Sequence, residues 1–396
     1  MKLKPINEQV VCIVGASSGI GRETALRFAR RGARLVVAAR GAEGLESLVG
    51  EIRSAGGEAR AVVCDVLHFE EVERVAAAAV EAYGRLDTWV HLAAVSIYAK
   101  FEETTPEEFK QVIETNLTGQ AYGAMAALPH LRRAGGGALI HVSSVEARRA
   151  LPYQSAYASS KHGMKGFLEA MRMELAREGV PISVTEVMPS SINTPFFNKA
   201  RTKLGVKPMG VKPMYQPHLV ADAILFAAEN AVAEITVGGA GKALAVSQCI
   251  SPRLTDTVLS LVAFEGQKTD EPKTEAAPDN LFHTLGGDHR VEGDFTHEAR
   301  ETSLYTWLET HPNVKRAVAA GAFGAIALLV GRALKNDRNN NDSHRDRSTR
   351  HIISRNDATG TRQPRTRRNV TRELKPWRTA DGRRFAEASE GWMLDD

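Results

Sequence analysis

The chain has 396 residues, a formal net charge of +4 and a hydrophobic content of 43%. That composition fits an ordinary globular protein, and the length exceeds one usual domain, so a second segment is expected after the first. Cys12, Cys64 and Cys249 stand in or near apolar runs without metal-ligand spacing, which argues against a disulfide scaffold or a metal site and for buried thiols in a reducing compartment.

The N-terminus carries two lysines and then only a short apolar run, which does not read as a signal peptide. Residues 10–14 form an apolar run of strand type. They lead into Gly15-Ala16-Ser17-Ser18-Gly19-Ile20-Gly21, and a helical pattern follows from Arg22. Strand, glycine turn and helix form the context of a dinucleotide loop: the glycines let the backbone approach a pyrophosphate, and the helix N-terminus offers free N–H groups. Further strands are expected at 34–38, 60–64, 88–92, 138–143, 182–187 and 234–238. Helices are expected at 21–31, 43–55, 69–83, 107–133, 155–178 and 217–229. This alternation predicts an α/β fold, a doubly wound parallel sheet of Rossmann type with helices on both faces. Right-handed crossovers bring the strand C-termini to one edge, and the glycine loop, Ser144 and the segment after Met188 all fall there.

The second strand ends in Arg40, with no Asp or Glu at its tip. An acid there would bind ribose hydroxyls and repel a 2′-phosphate, whereas an arginine would pair with that phosphate. NADP(H) is therefore favoured over NAD(H), against the simpler reading of Arg40 as a solvated charge. Farther on, Tyr157 and Lys161 are four residues apart, with Ser144 upstream. On a helix this spacing stacks phenol and ammonium on one face, and the ammonium favours phenolate, bringing the tyrosine toward use as a proton donor or acceptor near neutral pH.

Residues 195–216 break the alternation with Pro195-Phe196-Phe197, Pro208, Met209, Pro213, Met214 and Tyr215. They read as a loop closing over substrate, and with Tyr153 they suggest a substrate with an apolar body. Residues 266–280 read as a flexible linker within a short extension reaching 312. Ala317 to Gly331 is an uncharged run flanked by basic residues. It is shorter than the roughly twenty residues a spanning helix needs, so 313–334 is either a membrane attachment or an apolar helix docking on protein. The tail, 335–396, is rich in arginine and reads as disordered, with no nucleic-acid recognition motif.

The glycine loop and the Ser144, Tyr157, Lys161 set together resemble the short-chain dehydrogenase/reductase family over roughly residues 6–250. Gly15, Gly19 and Gly21 match its cofactor loop. Asp65 matches its adenine-binding aspartate, Asn116 its helix asparagine, and Pro189 and Thr194 its Pro-Gly-x-x-x-Thr segment. The resemblance implies a catalytic domain at 1–265 with Asn116, Ser144, Tyr157 and Lys161 catalytic. It implies cofactor contacts from Gly15, Ser17, Ser18, Gly19, Ile20, Gly21, Arg40, Asp65, Val66, Ala93, Tyr157, Lys161, Pro189, Ile192 and Thr194. Asn116 would hold a water through its backbone carbonyl. A homodimer or homotetramer acting on a small carbonyl or alcohol in the cytoplasm is also implied, by resemblance alone. Two departures stand out. His91-Leu92-Ala93-Ala94 replaces Asn-Asn-Ala-Gly, removing bracing side chains that His91 is expected to replace, and Ser190 stands where glycine is common. A cofactor-binding scaffold or sensor, tethered through its tail to a membrane or partner, is the competing reading.

Overall fold

The computed structural model describes residues 1–318 together with Ala320 and Leu328. The tail at 335–396 and most of the apolar segment at 313–334 lie outside the described residues. Among the described residues, no helix is long and apolar enough to cross a membrane.

The strands are β1 (Val10–Val14), β2 (Arg34–Ala39), β3 (Glu58–Val63), β4 (Thr88–His91), β5 (Ile97–Tyr98), β6 (Gly137–Val142), β7 (Ile182–Pro189), β8 (Arg201–Thr202), β9 (Val206–Pro208), β10 (Glu234–Val237) and β11 (Lys268–Pro272). The helices are α1 (Gly19–Arg30), α2 (Ala42–Ser54), α3 (Phe69–Tyr83), α4 (Pro106–Ile113), α5 (Gly119–Arg133), α6 (Ser155–Arg177), α7 (Phe196–Lys199), α8 (His218–Glu229), α9 (Gly239–Ile250), α10 (Pro252–Val262) and α11 (Leu304–Thr310). Seven strands form one sheet in the order β10-β7-β6-β4-β1-β2-β3, every pair parallel. The order reverses between β1 and β4, which opens a crevice at their C-terminal ends, the place where such sheets bind ligands.

Both faces of the sheet are covered, so the central strands are apolar on both sides. Val11 and Ile13 of β1 pack with Phe28 of α1, Leu45 and Leu48 of α2 and Ile224 of α8. Val10, Cys12 and Val14 point the other way, to Val72 and Val75 of α3, Leu131 of α5 and Leu168 of α6. The alternation follows from the period of two along a strand.

Two differences from the sequence-based expectation matter for the site. The long helix expected at 107–133 is interrupted by a π-turn at Glu114–Thr118. Within that turn, the fully buried Asn116 side chain leaves its own helix to bind the backbone of Val95. Secondly, the polar stretch expected as a linker is built into the core unit, which runs from Met1 to Gly321. β11 pairs antiparallel with β9. Gln267 is fully buried against Gln154, and the otherwise polar extension inserts the apolar anchors Leu281 and Phe295. Polar composition concealed these contacts because β11 is held by backbone pairing and by ion pairs such as Lys207–Glu271 (2.8 Å).

Candidate active site

At the C-terminal ends of β1, β2 and β4 lies a cleft lined by Gly15, Ser17, Ser18, Gly19, Ile20, Gly21, Arg40, Val66, Ala93 and Thr194. Its floor requires glycine. A Cβ on Gly15, whose φ is +91°, would lie 2.6 Å from the Ala93 nitrogen, and one on Gly21 would lie 2.0 Å from the Gly15 carbonyl oxygen. The loop therefore folds flat under β4 and leaves the start of α1 facing the cleft. Arg40, just past β2, donates to the Asn280 carbonyl (2.7 Å). Asp65 accepts from the Leu67 N–H (3.1 Å), closing its own loop beside the cleft. The cleft is long, concave and floored by backbone, with a helix N-terminus and a cation at one end, so the residues present fit a dinucleotide phosphate.

A second cavity adjoins the first and is lined by Ser144, Tyr157, Lys161, Pro189, Ile192 and Thr194. One turn of α6 brings Lys161 beneath Tyr157, with its ammonium 5.3 Å from the ring centroid. Lys161 is almost fully buried and donates to the Val142 carbonyl (3.1 Å). Burial pushes its pKa down to about 8, opposed by the negative fields of Glu186 and Glu146. The Tyr157 phenol is pushed up, first by burial and then by Glu146, while hydrogen bonding to Ser144 pulls it back. This differs from the expectation that Lys161 would bring Tyr157 toward neutrality: burial and the field of Glu146 hold the phenol in its protonated form. Asn116 donates to the Val95 carbonyl (2.8 Å) and Ser160 (3.3 Å), tying the π-turn to α6.

The loop expected to close over substrate lines the second cavity in part. Phe196, Phe197, Gly210 and Val211 line the second cavity, and Phe196 packs edge-on to Tyr157 at 6.0 Å. Met209 and Met214 instead join a buried cluster with Phe197 and Phe295. Tyr153, expected near the substrate, turns outward at φ +67° and packs on Phe264 (5.2 Å). The cavity also holds Glu146, a buried acid that sequence reasoning missed. Burial raises its pKa to about 8.

The comparisons with known proteins decide the lineage. The short chain dehydrogenase family model matches residues 9–205. An uncharacterized oxidoreductase of Bacillus subtilis, YxnA, is 39% identical over 323 residues, covering 81% of this chain and 90% of the relative. The chain belongs to the short-chain dehydrogenase/reductase family. A putative ketoacyl reductase of Streptomyces coelicolor is 36% identical over 201 residues, covering 49% of this chain and 75% of that relative. Among solved structures, an actinorhodin polyketide ketoreductase variant crystallised with NADPH aligns with a TM-score of 0.52 and 31% identity, covering 59% of this chain and 96% of that one.

The departures from the family pattern are repaired locally. His91, expected to replace the missing asparagine braces, makes no hydrogen bond with either ring nitrogen. It stacks on His141 (5.8 Å), and burial holds it neutral. The bracing comes from Gln120, which donates to the Ala93 carbonyl (3.3 Å) and holds His141 Nδ1 through Oε1 (2.7 Å). Ser190 is a brace too. Its hydroxyl donates to the Gly238 carbonyl (3.2 Å) and accepts from the Gly241 N–H (3.1 Å), tying the end of β7 to α9.

Sequence reasoning also missed the roof of the dinucleotide cleft. Lys199 and, from the extension, Asn280, Thr284, Leu285 and His289 line it. Among the described residues, no group of three or more His, Cys, Asp or Glu is placed to hold a metal ion.

Proposed function

We propose that this chain is an NADP(H)-dependent oxidoreductase that moves hydride between the nicotinamide and a carbonyl or alcohol whose body is apolar. Arg40 carries the cofactor half of this reading: it follows β2 into the cleft, beside Ser17 and Gly41, where an acid would repel a 2′-phosphate. The NADPH in the related ketoreductase structure supports the same choice. Phe196, Phe197, Ile192 and Val211 carry the substrate half, since they give the second cavity an apolar wall opposite Tyr157.

In this reading Ser144 and Tyr157 hydrogen-bond the substrate oxygen. Tyr157 gives its proton to that oxygen in reduction and takes one back in oxidation. Lys161 places its positive charge under the phenol and holds nicotinamide ribose hydroxyls. Asn116 fixes the π-turn, whose displaced backbone carbonyl holds a water leading from Lys161 toward solvent. Gly15, Ser18, Gly19, Ile20 and Gly21 cradle the pyrophosphate, Asp65 and Val66 bound the adenine, and Ala93 admits the ribose. Pro189, Ile192 and Thr194 border the nicotinamide. The bound dinucleotide supplies the hydride, and the protein supplies orientation and charge. Self-association through α5 and α6 belongs to the same reading, for these helices expose Met125 and Met173. The scaffold alternative is not favoured, because Ser144, Tyr157 and Lys161 line one cavity beside the cleft.

The test is a fluorescence titration of the full chain with NADPH and with NADH, repeated on Arg40→Asp. Tighter binding of NADPH, reversed in the variant, is expected. A wild-type preference for NADH would remove Arg40 as the selector.

A further inference from the structure

We propose that Lys199 is a ligand for the cofactor's pyrophosphate, and that the extension after residue 265 exists in part to hold it there. The proposal rests on the dinucleotide reading of the cleft given above. Lys199 ends the short helix α7 and turns into the cleft. Its Nζ donates to the Ser18 hydroxyl (3.1 Å). Ser18 is the residue before α1, and its side chain makes no capping bond to that helix. The ammonium is thus brought to the phosphate-facing end of α1, beside Gly19 and Ile20.

Two other enclosed lysines of the region, Lys207 and Lys203, have acid partners, whereas Lys273 is spent on backbone carbonyls. Lys207 lies between Glu271 (2.8 Å) and Asp294 (2.5 Å), and Lys203 reaches Glu108 (3.0 Å) and Glu275 (3.3 Å). Among the described residues, Lys199 has no carboxylate within ion-pair distance. Asp288 acts on it only as a more distant field, opposed by that of Arg290, and burial lowers its pKa. A mostly buried ammonium without a counter-ion is unfavourable until an anion arrives. A helix N-terminus and an unpaired cation facing one space make such a site for a phosphate.

The extension supplies the fixing. The Asn280 N–H donates to the Lys199 carbonyl (2.9 Å), and Lys273 Nζ donates to the carbonyls of Asn198 (2.6 Å) and Ala200 (2.8 Å). These carbonyls at the end of α7 lack helical partners, so the extension caps the helix that aims Lys199. The same segment crosses the glycine loop, where the Gly19 N–H donates to the Arg290 carbonyl (3.0 Å). The family model ends at residue 205, whereas the match to the Bacillus subtilis oxidoreductase spans 323 residues and so must run into the extension.

The experiment titrates the full chain with NADPH, NADH and adenosine 2′-monophosphate, which lacks the pyrophosphate. Lys199→Met is expected to weaken NADPH and NADH by the same factor, about ten- to a hundred-fold for one charge-assisted contact, and to leave adenosine 2′-monophosphate unchanged. Lys199→Arg should restore most of the loss. Lys273→Met should weaken both dinucleotides in the wild-type background and add nothing to Lys199→Met. Unchanged dinucleotide binding in Lys199→Met would overturn the proposal, as would equal loss of adenosine 2′-monophosphate or full additivity of the two lysine changes. A wild type that binds adenosine 2′-monophosphate but neither dinucleotide would overturn the dinucleotide reading and this one with it.

Discussion

Glu146 gives a pH-dependent stability that can be worked out in advance. Glu146 is 5% exposed, and its carboxyl accepts one long bond, from the Leu151 N–H (3.4 Å). Burial raises its pKa from 4.5 to about 8. The folded chain therefore prefers the neutral acid, while the unfolded chain ionises it from about pH 4.5 upward. A raised folded pKa contributes stability that is complete below the unfolded value and is lost as pH rises through the folded one. At about 1.4 kcal/mol per pH unit the loss is about 3 kcal/mol at pH 7 and about 5 kcal/mol by pH 8. Glu146→Gln keeps the shape and the acceptor but never ionises. Its advantage should be near zero at pH 4.5, grow to about 3 kcal/mol at pH 7 and level off above pH 8. Glu146 also favours the charged form of Lys161, so losing its field takes back part of the gain. Urea unfolding of both proteins across pH 4.5–9 measures the difference directly. A stability difference that does not vary with pH would refute the reasoning.

Tyr157→Phe should lower kcat by about 10²–10⁴-fold, the range of a lost general acid, while NADPH still binds; near-normal turnover would remove Tyr157 as the proton donor. Burial depresses the His141 pKa from 6.5 to about 3. A depressed folded pKa gives stability present above pH 6.5 and lost as pH falls toward 3, about 3 kcal/mol of it by pH 4, so acid unfolding followed by circular dichroism should flatten in His141→Gln. A Cβ on Gly123 would lie 2.1 Å from His91 Nδ1; Gly123→Ala should cost about 1–3 kcal/mol by overpacking. Adding His91→Ala should recover most of that loss, and simple additivity in a double-mutant cycle would exclude the clash as its cause.

The catalytic sheet was legible because its signals are local. Strand β1, the glycine turn and α1 are adjacent in sequence, and Tyr157 and Lys161 are one helical turn apart, so pattern and chemistry coincide within a few residues. The break in the helix at Glu114–Thr118 was not legible, because its cause is the distant backbone of Val95, which Asn116 leaves its own helix to meet. His91 misled for a related reason. A polar side chain in the place of an asparagine invites the reading that it takes over the same hydrogen bonds, yet the ring stacks on His141, and Gln120, from helix α5, does the bracing.

The extension shows the limit most clearly. Residues 266–280 have the composition of a linker, and neither period nor apolar run marks them as structured. Their order comes from pairing partners elsewhere: β9 for β11, Gln154 for Gln267, and the open carbonyls of α7 for Lys273 and Asn280. Each of these bonds uses a polar group that would otherwise be solvated, so a sequence scale that scores burial by hydrophobicity cannot find them. The same contacts aim Lys199 and roof the cleft. In this chain, then, the segment whose composition least resembled a folded one caps α7 beside the cleft and lines the cleft through Asn280. Loosening Lys273 should therefore be felt in dinucleotide affinity before it is felt in global stability, since its two bonds cap a single turn of helix while the seven-stranded core is untouched.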